Sequence, residues 1–186
     1  MFDAVTPPTI IASLLLTLAT VTTVQRWRLG PTADWIEAAR ATTLPPLDPA
    51  IERTVGGIGS AYETPDREVV GVIDADSERV ERRLFRAGCR RNVLSAHKSL
   101  ADGREQIGAW VYRGSEVDPK MQVDVLLFEA ADGGTTVAAH HEFSSDVRWL
   151  WRDPSVLRDH YRTRAYDPEA GARLVRRTIL TDAEWA

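Results

Sequence analysis

The chain has 186 residues, of which 44% are hydrophobic and 27% charged, and its formal net charge is −4. This length accommodates one core of ordinary size, and the apolar fraction excludes disorder over most of the chain. The single cysteine, Cys89, excludes an internal disulfide framework, and the mild acidity excludes a strong overall attraction to nucleic acid or anionic lipid.

The N-terminal part of the sequence contains a long uncharged segment. No charged residue lies within residues 4–25, and residues 9–24 are apolar on every face of a helix. A bilayer core requires roughly 20 residues at about 1.5 Å rise each, so this window is long enough to span it. Arg26 and Trp27 follow at once, and this combination is typical of a membrane–water boundary. The sequence therefore predicts a single transmembrane helix at about residues 9–25.

The residues that flank this segment predict whether it is cleaved and how it is oriented in the membrane. A cleaved signal peptide would need basic residues before the apolar run, whereas the chain begins Met1-Phe2-Asp3. Because the positive charges lie only on the C-terminal side, the positive-inside rule places the N-terminus outside and the main domain in the cytoplasm. Residues 1–28 are thus expected to be a single-pass anchor.

Residues 29–66 are predicted to be a connector with short helices. Thr32 can cap a first helix, and Asp48 followed by Pro49 can begin a second. The sequence TTLPPL between them is expected to interrupt the helical structure.

The main domain is predicted at residues 67–186. The sequence EVVGVID at residues 68–74 indicates a buried strand. The segment after it indicates a helix with Asp76 or Ser77 as its N-cap and with Gly88 at its end.

The polar face of that helix, with the residues just after it, is rich in arginine. A solvated surface is the preferred interpretation, because no aromatic surface that could stack on bases can be identified. Binding to an anionic lipid or to nucleic acid is an alternative, although nucleic acid is not the expected partner. The arginines are Arg79, Arg82, Arg83, Arg86, Arg90 and Arg91.

Two Asp-Gly dipeptides, at residues 102–103 and 132–133, predict two β-hairpins, because each lies between runs that favour strands. The hairpins form a four-stranded antiparallel meander, preceded by a strand and a helix in a β-α-β-β-β-β plan. Asp-Pro dipeptides at residues 153–154 and 167–168 then predict the beginnings of two helices. The expected fold class is α+β, with the C-terminal helices packed on the antiparallel sheet.

The second hairpin supplies candidate site residues. A two-residue Asp-Gly loop would place Asp124 opposite His141, and a carboxylate in that position could orient an imidazole for catalysis. His140 and Glu142 would share the other face of their strand as candidate ligand-binding residues. However, no serine or cysteine lies in a recognisable nucleophile motif.

No metal site and no cofactor are predicted from linear motifs. The sequence has four histidines, and none follows an H-x-x-x-H or C-x-x-C spacing.

Two hypotheses for the function follow. The leading one is a membrane-anchored, non-catalytic cytoplasmic domain that binds a protein partner or a small ligand. The alternative is a membrane-tethered hydrolase or transferase that uses His141 and Asp124. Convergence of the histidines and acids in one concave pocket would favour the enzyme, whereas a flat apolar patch would favour the binding domain.

Overall fold

The structure is a computed structural model, and it describes residues 35–55, 61–92, 95–144, 166–183 and 185. The transmembrane segment predicted at residues 9–25 lies outside these ranges, as does the helix predicted to begin at residues 153–154. Within the described ranges, no helix is both long enough and apolar enough to cross a bilayer.

A single helix, α1 (Trp35–Val55), replaces the two short helices predicted around TTLPPL. The predicted interruption is wrong, although Pro45, Pro46 and Pro49 all lie inside the helix. These prolines are exposed, so water can bond to the carbonyl groups that lose their intrahelical partners.

Five antiparallel strands form the central sheet. They are β2 (Val69–Ile73), β3 (Arg90–Arg91), β5 (Gln106–Tyr112), β6 (Met121–Glu129) and β7 (Thr135–Phe143). Their spatial order is β2-β7-β6-β5-β3. Two further strands, β1 (Ala61–Glu63) and β4 (His97–Ser99), pair in parallel as a separate small sheet. The domain is α+β with an antiparallel sheet, and this part of the prediction is confirmed.

The predicted four-stranded meander is only partly present. Strands β5, β6 and β7 follow one another as predicted, but β4 pairs with β1. Its link to the start of β5 consists of a bridge between Ser99 and Glu105 and a hydrogen bond from the N–H of Lys98 to the side chain of Gln106. The reason is that β3 already pairs with Trp110 and Val111, which occupies the adjacent edge of β5.

Helix α2 (Ser77–Arg86) begins and ends where the sequence predicts. The carboxylate of Asp76 accepts a hydrogen bond from the backbone N–H of Arg79 at 2.7 Å, as an N-cap does. Gly88 ends the helix with a φ of +95°, a conformation that favours glycine.

The C-terminal part of the domain contains helix α3 (Pro168–Leu174), which continues as a π-helical turn, Val175–Ile179. The side chain of Asp167 caps α3, as the Asp-Pro signal predicts. Helix α2 and this C-terminal segment pack on the same face of the sheet. The largest hydrophobic cluster joins them through Val80, Leu84, Val123, Val125, Leu127, Val137, Ala139, Val175 and Leu180.

The opposite face of the sheet has a smaller apolar cluster and many polar groups. Leu126, Phe128 and Ala138 form this cluster with Leu100 and Ala109. The polar side chains on this face lie farther along β6 and β7, and they form the candidate site.

The hairpin between β6 and β7 has a three-residue loop instead of the predicted two-residue loop. The N–H of Gly133 donates to the carbonyl of Ala130 at 3.1 Å, and the N–H of Ala130 donates to the carbonyl of Gly134 at 3.0 Å. Gly133 has a φ of +91°, which suits the last position of such a loop. The additional loop residue shifts every cross-strand pair by one residue.

Candidate functional site

Asp124 and His140 lie directly opposite each other on β6 and β7. Both are buried, with exposed fractions of 3% and 1%. Glu142 lies two residues after His140 and therefore projects from the same face of β7. The structure thus brings together three of the four candidate residues.

His141 lies apart from these three residues. It is opposite Val123, and its backbone pairs with that of Asp167. Because side chains alternate along a strand, His141 projects from the opposite face to His140. The predicted pair of Asp124 with His141 is therefore wrong, and the cause is the three-residue loop.

The imidazole of His140 lies between two carboxylates. Its Nδ1 is 2.9 Å from Oε2 of Glu68, and its Nε2 is 3.2 Å from Oε2 of Glu142. Burial lowers the pKa of His140, and the charge of Lys98 lowers it further, but the hydrogen bonds to Glu142 and Glu68 outweigh both and raise the pKa to about 9. His140 is therefore an imidazolium at neutral pH.

Glu68 holds His140 from the turn that precedes β2. Burial raises the pKa of Glu68, but the hydrogen bond and the charge of His140 outweigh burial and hold this pKa below its usual range. The hydroxyl of Tyr166 donates to the other oxygen of Glu68, and its ring centroid lies 5.1 Å from that of the imidazole. Glu68 thus fixes the orientation of the His140 ring.

Asp124 is held by neutral amides. Nδ2 of Asn92 lies 3.0 Å from each carboxylate oxygen, and Nε2 of Gln122 lies 3.0 Å from Oδ1. The same amide nitrogen of Gln122 donates to Oε1 of Glu142 at 2.7 Å. Gln122 therefore links the two carboxylates on either side of the hairpin without neutralising their charges.

Lys98, on β4, brings a buried ammonium group to these acids. Burial lowers the pKa of Lys98, but Tyr62 and the acids Asp124, Glu142 and Glu68 outweigh it and raise the pKa above its usual value. Its Nζ also lies 4.9 Å from the centroid of the Tyr62 ring. Lys98 is therefore charged at any physiological pH.

We call Glu68, Lys98, Asp124, His140 and Glu142 the polar cluster. Three of its members are carboxylates, and two are cations when His140 is protonated. Arg40 also acts on Asp124, but the charge of Arg40 is matched by Glu37 at 2.7 Å. The polar cluster therefore combines three acids and two cations in one buried group.

Three members of the polar cluster have the donor atoms of a metal site. Asp124, His140 and Glu142 each offer one ligand atom, and these atoms all lie within 4.8 Å of one another. Around one ion with bonds of about 2.1 Å, ligand atoms are roughly 3.5 Å apart, so modest side-chain rotations would bring them into range. In the sequence, this site corresponds to a His-x-Glu motif on β7 opposite an Asp on β6. The motif can be recognised only when the register of the two strands is known.

Cys89 does not offer a reactive thiolate. It is completely buried, and burial raises the pKa of its thiol to about 12 in spite of the neighbouring Arg90. A thiol that stays protonated is a poor nucleophile, so Cys89 acts as a core residue.

Comparison with known proteins gives no match to this chain, whether with protein-family models, curated proteins or solved structures.

Proposed function

We propose that the domain is a divalent-cation-binding module in which Asp124, His140 and Glu142 are the ligands. The observation that supports this role is the mutual approach of their three ligand atoms, within 4.8 Å. A one-histidine, two-carboxylate set suits Mn²⁺, Fe²⁺ or Zn²⁺. The small ligand of the module is then the ion.

Binding of an ion requires His140 to lose a proton, because imidazole coordinates through an unprotonated nitrogen. Nε2 is the available atom, since it faces Glu142, whereas Nδ1 remains hydrogen-bonded to Glu68. A carboxylate on the second ring nitrogen is the usual support for a metal-bound histidine.

Titration calorimetry of Mn²⁺ and Zn²⁺ into the chelator-treated full chain in nonionic detergent tests this function. We expect one ion per chain, and we expect Asp124→Asn and Glu142→Gln each to weaken its binding at least tenfold. His141→Asn is the matched control, because it changes the neighbouring histidine on the other face of β7 and should leave the affinity within about twofold.

The pH dependence gives a second test of the same function. Because one proton leaves His140, the affinity should rise about tenfold per pH unit from pH 7 and level off above the His140 pKa of about 9. An affinity unaffected by Asp124→Asn and Glu142→Gln, or equally weakened by His141→Asn, would contradict the proposal.

We further propose that residues 9–25 anchor this module in a membrane, with the main domain in the cytoplasm. The uncharged run and the arginines on its C-terminal side support this placement. We expect the full chain to resist extraction by carbonate and its main domain to be digested by a protease added on the cytoplasmic side. Release by carbonate would contradict the anchor, and protection from that protease would contradict the orientation.

A further inference from the structure

A groove of about 480 Å³ lies between helix α2 and the C-terminal π-helical turn. It lies on the face of the sheet opposite the polar cluster, because α2 and the C-terminal segment pack on that face. Arginine dominates its lining, together with two threonines and one acid. These residues are Arg79, Arg82, Arg83, Arg86, Thr178, Thr181 and Asp182, and we call this site the arginine groove.

The arginines of the groove are close neighbours on α2. Arg79 is followed by Arg82 and Arg83, three and four residues later, and these lie four and three residues before Arg86. Like charges at these spacings destabilise a helix. Within the helix, Glu78 pairs with Arg82 one turn later. Among the described residues, the four arginines of the groove therefore outnumber the acids that line or adjoin it, Asp182 and Glu78.

One guanidinium nitrogen in the groove has no hydrogen-bond partner among the described residues. Nη1 of Arg83 is buried, and it makes no hydrogen bond with any part of the chain that the structure describes. A buried donor without an acceptor is costly, particularly on a charged group. Arg83 is thus a donor for which a bound anion would supply the acceptor.

The opposite wall of the groove is formed by an unusual backbone turn. The N–H of Leu180 donates to the carbonyl of Val175, five residues earlier, at 2.7 Å. Single π-helical turns of this kind occur frequently at functional sites. Here the turn brings Thr178 to the side of the groove that faces the arginines.

We propose that the arginine groove binds a phosphate group. Guanidinium groups donate two parallel hydrogen bonds to phosphate oxygens, and threonine hydroxyls add further donors. The phosphate can belong to a soluble compound or to the headgroup of an anionic lipid, because both present the same oxygens. This site is separate from the proposed cation site, so either can fail without the other.

Calorimetry on the full chain in nonionic detergent, at constant ionic strength, tests the proposal. One arm adds pyrophosphate, and the other adds mixed micelles with short-chain phosphatidic acid or, as reference, phosphatidylcholine. We expect Arg83→Gln and Arg79→Gln to weaken binding at least tenfold and Arg83→Lys to weaken it less, since lysine keeps the charge without the bidentate geometry.

Arg173→Gln is the matched control, since it removes one exposed arginine from helix α3 outside the groove. It should leave the affinity within about twofold. Pyrophosphate binding that depends on Arg83 identifies a soluble phosphate ligand, and Arg83-dependent binding only to phosphatidic acid micelles identifies a lipid headgroup. The absence of binding in both arms up to about 10 mM phosphate groups, or an equal loss in Arg173→Gln, would overturn the proposal.

Discussion

His140 and Glu68 form a fully buried ion pair, with Nδ1 of the imidazole 2.9 Å from Oε2 of the carboxylate. The pair ties strand β7 to the turn at Asp66–Glu68, which leads into β2. Removing one partner of such a pair leaves an uncompensated buried charge. The resulting loss in the free energy of unfolding is far larger than the net stabilisation that the intact pair provides. The protonation of His140 is therefore coupled to the stability of the sheet.

The first prediction is that the metal-free chain loses stability as the pH rises from about 6.5 through about 9. The pKa of His140 is raised from 6.5 to about 9 in the folded state. A group with a raised folded-state pKa contributes its full stabilisation below the unfolded pKa and loses it as the pH passes the folded pKa. The loss should be on the order of 3 kcal/mol, measured by urea unfolding with a chelator present.

The control for this pH dependence is His140→Gln, which cannot titrate in this window. Its free energy of unfolding should be lower at pH 6.5 and nearly constant up to pH 9. If the variant kept the slope of the parent chain, another group would be responsible for the pH dependence.

The second prediction concerns Lys98, one of only two lysines in the chain. Lys98→Met removes one of the two cations of the polar cluster, and we expect a loss of about 3–5 kcal/mol in the free energy of unfolding. Mn²⁺ should restore part of this stability, because the ion supplies the missing positive charge. The exposed Lys120 gives a matched control, and Lys120→Met should change stability by less than about 0.5 kcal/mol. Equal effects of the two substitutions would contradict the role of Lys98.

The third prediction compares alanine substitutions at two glycines, one where the backbone conformation is strained and one where a Cβ would collide with neighbouring atoms. Gly133 has a φ of +91° and open space where a Cβ would lie, so Gly133→Ala should cost only about 1 kcal/mol. At Gly171, on α3, a Cβ would lie 2.6 Å from Cα of His140, and the neighbouring atoms belong to the backbone. Gly171→Ala should therefore cost about 3 kcal/mol or more and also weaken cation binding, which Gly133→Ala should leave unchanged.

Equilibrium unfolding and calorimetry on the two glycine variants check this difference. If Gly171→Ala were as mild as Gly133→Ala, α3 could move away from β7 without loss, and the position of His140 would not depend on that contact.

Local signals were sufficient to predict much of the main domain. Asp76 marks the beginning of helix α2, because its side chain accepts a hydrogen bond from a backbone N–H of the first turn. Gly88 marks the end, because glycine tolerates the positive φ found there. The hydrophobic run before them forms β2, and the two strands around residues 132–133 occupy central positions in the sheet. These features depend on residues that are close in sequence.

The ligand set of the cation site could not be predicted in the same way. An Asp-Gly dipeptide fits both a two-residue and a three-residue hairpin loop, and the difference moves Asp124 from His141 to His140. The role of Lys98 depends on the departure of β4 from the main sheet, which is a tertiary effect. One residue of register thus separates the predicted catalytic pair from the observed polar cluster.

The last prediction concerns the stability of the arginine groove without phosphate. Arg79→Gln removes two like-charge neighbours, Arg82 and Arg83, so the variant should be more stable than the parent chain at low ionic strength. The gain should vanish at about 1 M salt, where such charges are screened. Arg82→Gln is the matched control, because it also breaks the pair with Glu78 and should gain less.

Adding pyrophosphate should reverse this order. The parent chain should gain stability in proportion to the logarithm of the ligand concentration, whereas Arg79→Gln should gain much less, because ligand binding stabilises only the state that binds. Thermal unfolding of both chains, with and without pyrophosphate at constant ionic strength, measures the difference. A parent chain already more stable than Arg79→Gln at low salt without phosphate would mean that Arg79 makes favourable contacts within the protein, and the groove would then lack the unbalanced charge on which the phosphate site depends.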